Sequence, residues 1–354
     1  MDLNFKNLPV GDLPYDDIQL CKRMMLRLYE NLPFLPELPL IDANDNIFNR
    51  TFNGIDCIKI KDGKILLPDA ENDKFVLTLM KLDKIYNCET LSDFDDFVND
   101  APYMQIYEAM LEKFKPKYTV LHLFGPFTFA NSVFNRNAGL LLTDRNYRKF
   151  IIQLITIKAL WYIYKIKSIS PETKPIIMFN ENLLYKFGTL KRTNESITND
   201  SISSLFAKIF SKLKKAGAVI GVQSFEKCNW QLVLDANYVN IISFGAYNNP
   251  NNLNIIADSV NNFLARGGII NWGIVPVSNE NIIKSLNIDY LFSKFQTTLE
   301  DLASEGVSAD LLYKNSTVSI DGNLSKIPIL FAEKALILAH QLGNKIPASS
   351  ASRD

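Results

Sequence analysis

The stretch GVQSFEKCNW, residues 221–230, gathers side chains capable of chemistry at Gln223, Ser224, Glu226, Lys227 and Cys228. They follow the apolar run AVIG, where a buried strand gives way to a loop. Strand ends of that kind carry the chemistry of barrel enzymes. Their order matches no familiar catalytic arrangement. A cysteine nucleophile needs a base beside it, and the only histidines, His122 and His340, are not placed by sequence near Cys228. His122 lies inside the run VLHLF and reads as a barrel-lining histidine with a satisfied hydrogen bond. His340 falls near the end of the last helical stretch, where the helix dipole suits it. Glu226 and Lys227 read as solvated loop charges, as a pair, or as groups that reach a ligand.

Two carboxylates are the catalytic candidates: Glu181 in FNENLL, at a strand end, and Asp12 in VGDLPYDD, after the first strand. Each has an equal reading as a loop or turn residue. Asp321 in SIDG fits local turn bonding. Gly125 and Pro126 shape the turn of GPF, and Thr128 opens the next helix. There the free amides hold an anion, or the threonine is a simple cap. With Gly125, Thr128 and Glu181, the strand-end residues Asn180, Gln223, Trp230, Tyr247 and Trp272 complete the expected substrate-binding set. The aromatics serve as cavity walls or as packing. The four cysteines form no CxxC pair and match no zinc module, so they read as reduced thiols.

These groups must be positioned by the elements between them. YTVLHLFGP, KPIIMFNEN, AVIGVQSF, VNIISFGAY, GGIINWGIVP and the shorter STVSIDG are apolar, β-branched runs ending in Gly, Pro or Asn. Helical patterns lie at 143–166, 201–216, 229–236, 251–266, 280–304 and 326–342. This alternation indicates a parallel sheet covered by helices. NLPVGDLP would supply a seventh strand; an eighth has no clear place. No GxGxxG follows the first strand, which disfavours a dinucleotide fold. The fold expected is α/β, a (β/α)8 barrel with an N-terminal β-hairpin elaboration. The hairpin signal is the KDGK turn in IDCIKIKDGKILLP. The barrel would span 1–345 as one domain, with 50–70 as the hairpin excursion and 346–354 as a disordered tail. The polar loop 190–201 is placed to cover the strand ends.

With 38 basic and 38 acidic residues and no block of like charge, nothing suggests a nucleic-acid partner. The N-terminus has no signal-peptide pattern. The run FIIQLITIKALWYIY, residues 150–164, contains Lys158 and is too short to span a membrane, so it reads as a helix buried on most sides. A cytoplasmic protein with no membrane partner is expected; a homodimer is left open.

Several stretches, in order and over almost the whole chain, resemble the superfamily of cobalamin-independent methionine synthase and uroporphyrinogen decarboxylase. VGDLPYDD resembles IGSLPHTD, and NLPFLPELP resembles IPFWPQLP. GPFTFA is similar to GPVTLA, and FNENLL to IDEPAL. NWQLVLDANYVNIISFGAY resembles DWSLLLESGVDILSFDAY, and LARGGIINWGIVP is close to LARGGVIAWGIVP. The nearest likeness is to short, single-barrel homologues of the methionine synthase catalytic domain. The resemblance implies methyl transfer to a thiol held as thiolate by zinc, which needs Cys and His ligands.

Those ligands are replaced. The family's His-x-Cys falls on Gln223 and Phe225, and its late Cys on or beside Gly322. The N-terminal His of the LPH pattern is Tyr15, and two family aspartates are Gly245 and Asn180. Zinc is therefore the family's cofactor, but no metal site and no cofactor are expected here.

Three functions remain. One is a zinc-independent, methionine-synthase-like barrel that binds a small molecule at its mouth, with methyl transfer altered or lost. Another is an active enzyme: a methyltransferase using no metal or a non-family metal, or a decarboxylase. The decarboxylase needs arginines at strand ends, whereas Arg136, Arg145 and Arg266 lie in or beside helices. The last is a non-catalytic partner-binding scaffold. A retained site keeps polar groups of Asp12, Asn180, Glu181 and Gln223 around a cavity. A degenerate one fills it with Phe225 and Tyr15.

Overall fold

A computed structural model describes residues 6–52, 54–61, 64–97, 104–134, 141–187, 197–226 and 228–346. The strands are β1 (Lys59–Lys61), β2 (Lys64–Leu66), β3 (Tyr118–Phe124), β4 (Val133–Phe134), β5 (Lys174–Asn180), β6 (Val219–Ser224), β7 (Ile241–Phe244), β8 (Ile269–Pro276) and β9 (Ser316–Asp321). Six of them form one sheet in the order β3-β5-β6-β7-β8-β9, every pair parallel. The sheet is curled into a half-barrel. All six apolar runs read from sequence are its strands. They are buried on both faces, which is why they lack a polar alternation.

Seven helices matter below: α1 (Ile18–Leu28), α2 (Asp73–Ile85), α3 (Pro126–Ser132), α4 (Arg145–Ile169), α5 (Asn199–Lys215), α6 (Ile288–Ser304) and α7 (Ile329–Lys345). α4 contains the apolar run 150–164 and is buried almost all round, between the sheet and a further layer of helices. Its Lys158 is buried with the rest, and desolvation pulls that ammonium down to about 7. Asp144 opens α4 by accepting from the amides of Asn146 (2.7 Å) and Tyr147 (3.0 Å), a side-chain cap.

The helical pattern expected over 280–304 is two helices, Glu280–Ser285 and α6. Asn287 makes the break: its Oδ1 accepts from the Tyr290 amide at 2.9 Å and caps α6. The pattern over 251–266 becomes helical at Ala257, after a short 3-10 turn at Asn254–Ile256.

Two N-terminal segments reach the edges of the half-barrel. The Leu8 amide donates to the Val318 carbonyl of β9 (2.9 Å), and the Val318 amide to the Lys6 carbonyl (2.8 Å). On the other edge the Leu35 amide donates to Val120 of β3 (3.1 Å), and the Val120 amide to Pro33 (3.0 Å). The segments join each other through Leu13 to Glu37 (2.9 Å) and Glu37 to Gly11 (2.8 Å). These contacts are isolated parallel bridges rather than strands. β1 and β2 pair antiparallel, and β2 pairs parallel with β4. The expected KDGK turn includes 62–63, which lie outside the described residues, as do most of the loop 190–201 and of the tail 346–354. Among the described residues, no helix is long and apolar enough to cross a membrane.

Candidate functional site at the strand ends

Side chains alternate across each strand, so the register assigns every residue to one face. One face meets the helices. Phe244 and Trp272 pack edge to face at 5.3 Å, and Trp272 meets Phe295 of α6. The Trp272 Nε1–H donates to Ser316 Oγ at 2.8 Å. Trp230 packs on the same layer, 6.0 Å from Phe244. Tyr247 lies under the Lys294 ammonium of α6, at 4.7 Å. The structure thus places all three strand-end aromatics of the expected binding set against other parts of the helix layer.

The opposite, concave face carries a row of small polar side chains inside otherwise apolar strands. Register pairs Asn180 with Gln223, Gln223 with Ser243, Ser243 with Asn271, and Asn271 with Thr317. The β8–β9 end of this row is self-satisfied. Asn271 Nδ2 donates to Ser243 Oγ and Ser319 Oγ, both at 2.8 Å, and Thr317 donates to Asn271 Oδ1 at 3.0 Å. At the other end, His122 binds Asn180 Oδ1 (3.3 Å) and the Pro9 carbonyl (3.2 Å). Burial pulls His122 below its usual range, which favours the neutral ring. A neutral ring has one N–H. The carbonyl fixes it on Nε2, so Nδ1 accepts and the Asn180 amide must turn its NH2 toward it.

Gln223 lies between these two satisfied ends. It is only 4 % exposed and, among the described residues, no group hydrogen-bonds its side-chain amide, whose atoms are not among the unpartnered polar atoms sealed from solvent. Above it, Asp321 leans across from the end of β9 toward the end of β7. A Cβ on Gly245 would fall 2.3 Å from Asp321 Oδ1 and 3.0 Å from the Phe225 carbonyl, so the absence of a side chain at 245 makes room for the carboxyl. Asp321 Oδ2 accepts from Asn248 Nδ2 at 3.0 Å. Burial pushes this carboxyl up to about 6, with Glu226 adding to the rise and Asn248 opposing it.

Glu181, the leading catalytic candidate, is fully buried and engaged elsewhere. Its Oε1 accepts from the Phe127 amide (2.9 Å), and its Oε2 from the Thr128 amide and hydroxyl (both 2.7 Å). The anion anticipated at Thr128 is therefore the chain's own carboxylate. Gly125 is required for it: a Cβ there would fall 2.3 Å from Glu181 Cδ. Thr128 Oγ1 also accepts from Leu183, tying the β5 loop to α3. Burial pushes Glu181 up to about 7 against the pull of these donors. Gly125, Thr128 and Glu181 are thus brought together, on the outer side of the strand ends rather than with Gln223.

Asp12 accepts from the Ser325 amide at 2.9 Å and neighbours Glu37. Glu37, not singled out by the sequence, is buried and pushed up to about 7, chiefly by desolvation, with Arg50 opposing. Arg50 itself is held by Asp45 (2.5 Å) and by the Pro36 carbonyl (2.5 Å). Burial pushes the Cys228 thiol far above its ordinary range, which disfavours the thiolate that a nucleophile needs. Tyr15 turns its hydroxyl to Glu333 of α7 (3.1 Å), and Phe225 is half-buried. Glu226 is exposed and Lys227 lies outside the described residues. Among the described residues, no three His, Cys, Asp or Glu side chains come together as a metal-binding group.

No model of a known protein family matches the sequence, and no curated protein matches it.

Proposed function

We propose that the chain binds a small polar molecule at the strand ends, as a methionine-synthase-like (β/α)8 barrel that does not use zinc-thiolate chemistry. The observation that carries this reading is Gln223. Its amide makes no bond to the described residues and is not among the polar atoms sealed from solvent, so it stands open to a molecule entering at the strand ends. A few convergent polar groups of this kind in an otherwise apolar concavity suit a small polar ligand. Asn180 and Ser243 flank Gln223, and the Asp321 carboxyl stands above, so the ligand meets amides, a hydroxyl and a weak acid.

Closure into eight staves is supported by the bridges that run from β9 through residues 6–13 and 33–37 back to β3. The antiparallel β1–β2 pair supports the hairpin elaboration. Loss of methyl transfer is supported by the residues at the family's ligand positions, since an amide, a phenyl group and a glycine give zinc no thiolate or imidazole.

The test is calorimetric. Amino acids and methylated amines and thiols are titrated into the full chain and into Gln223→Leu, each with and without zinc. Saturable binding to the native chain alone, with zinc uptake below about a tenth of an equivalent, is expected. One equivalent of bound zinc would overturn the zinc-free reading. Equal ligand binding by both proteins would remove Gln223 from the site.

A further inference from the structure

The helix layer carries its charge unevenly. The whole chain is neutral, yet a cleft of about 600 Å³ between α4, α5 and the turn after α2 is lined by Lys167, Lys208, Lys212 and Lys215 against a single acid, Glu89. A second cleft of about 550 Å³ shares Tyr86 and Lys208 with the first and adds Arg145, Arg148 and Lys149. Of these, Lys149 is neutralised by Asp83 at 2.6 Å. Both volumes fall in the range of small-molecule sites.

Part of this pattern belongs to the helix itself. Lys212 and Lys215 stand in the last turn of α5, where cations complement the dipole. Lys208 is not explained that way. Positions 208, 212 and 215 follow the spacing of one helix face, and like charges so spaced oppose the helix. Lys167 faces them from α4 and is fixed by donating to the Ala216 carbonyl at 2.5 Å. Lys212 is also preset: it lies 3.9 Å from the Tyr86 ring centroid and donates to Asn87 Oδ1 at 3.0 Å. Burial lowers its pKa, and the neighbouring Lys215 adds to the fall. Lys208 and Lys215 are exposed and, among the described residues, make no hydrogen bond or ion pair. A multiply charged anion between the two walls would relieve this repulsion.

We propose that the cleft between α4 and α5 binds a small molecule bearing a diphosphate or longer phosphate chain. Lysines act as point charges suited to phosphoryl oxygens, and two walls of them match an anion with more than one phosphoryl group. The site is separate from the strand ends and stands whether or not those bind a ligand.

Pyrophosphate is titrated into the full-length protein by calorimetry at low salt, beside Lys208→Ala, Lys212→Ala and, as a control on α1, Lys22→Ala. One saturable site is expected, weakened by added salt. Each cleft substitution should loosen it about two- to fivefold, as for an exposed charge pair. Lys22→Ala should leave it unchanged. Both lysines are on the surface, and circular dichroism checks that the variants fold. Absence of saturable binding, or equal binding by all four proteins, would overturn the proposal. Citrate binding as tightly as pyrophosphate would overturn the phosphate assignment. A single-stranded RNA that displaces pyrophosphate at lower concentration would make the cleft a nucleic-acid surface instead.

Discussion

Asp321 and Gly245 show how a strand end is shaped by one side chain and one missing side chain. The carboxyl leans over the β7 end because nothing but hydrogen stands on the Gly245 Cα. Gly245→Ala would set a methyl group 2.3 Å from Asp321 Oδ1 and 3.0 Å from the Phe225 backbone, which cannot swing aside. Such overpacking typically lowers stability by about 1–3 kcal/mol. Denaturant unfolding should show a loss of that size; an alanine variant as stable as the native chain would mean that Asp321 moves freely. The residues forming the polar row were hard to single out from sequence. Ser243, Asn271 and Thr317 each stand alone among apolar neighbours, and only the register aligns them. Gln223 was legible because a long amide interrupts an apolar run just before a loop.

Among the elements, α3 depends on a residue distant in sequence. It has only seven residues, and its N-cap position is Gly125, which has no side chain to cap it. Glu181, reaching from the end of β5, takes over that role for two amides and a hydroxyl. The sequence carries the parts of this contact, GPFT and FNEN, but more than fifty residues separate them. Only strand pairing of β3 with β5 brings them together. Gly125→Ala should therefore disturb more than its own turn. Its Cβ would displace the carboxylate, uncap α3 and release Leu183, at a cost of about 2 kcal/mol or more. Faster amide exchange at Phe127, Thr128 and Leu183 would report it. Exchange that stays as slow as in the native chain would show that α3 does not rely on Glu181. The break before α6 was also written locally, in Asn287 as a cap, but the unbroken apolar spacing of 280–304 hid it.

For the whole molecule, the six strands of the half-barrel were readable because long parallel strands buried on both faces leave continuous apolar runs. The two N-terminal segments were not, since Pro9, Pro14, Pro33, Pro36 and Pro39 remove ladder donors there. Each segment meets the sheet by isolated bridges, too short to leave a strand pattern.

Stability should respond to pH in a direction opposite to that of most proteins. Glu37, Glu181 and Asp321 are buried with carboxyls pushed up to about 7, 7 and 6, from ordinary values of 4.5, 4.5 and 3.8. A raised acid holds its proton longer in the folded state, so its stabilisation is full below the ordinary value and is lost as pH climbs through the raised one. His122, depressed by burial, works the other way up to 6.5, but it is one group against three. Lys158, depressed to about 7, contributes its gain only above that pH. Unfolding free energy should therefore fall between pH 5 and pH 7. A rise over that interval would show that the three carboxyls are ionised in the folded chain well below 6.

The binding reading rests on Gln223 and can be probed before any ligand is known. Leucine matches glutamine in size and has no amide to leave unsatisfied, so Gln223→Leu tests whether that amide serves the fold or something that enters it. The measurement is the unfolding free energy of Gln223→Leu against the native chain in ligand-free buffer. A stability unchanged or raised by up to about 1 kcal/mol is predicted, because the amide makes no bond within the described fold for leucine to break. A loss of similar size would mean that the amide is already satisfied within the fold, and the proposed site at the strand ends would lose its central residue.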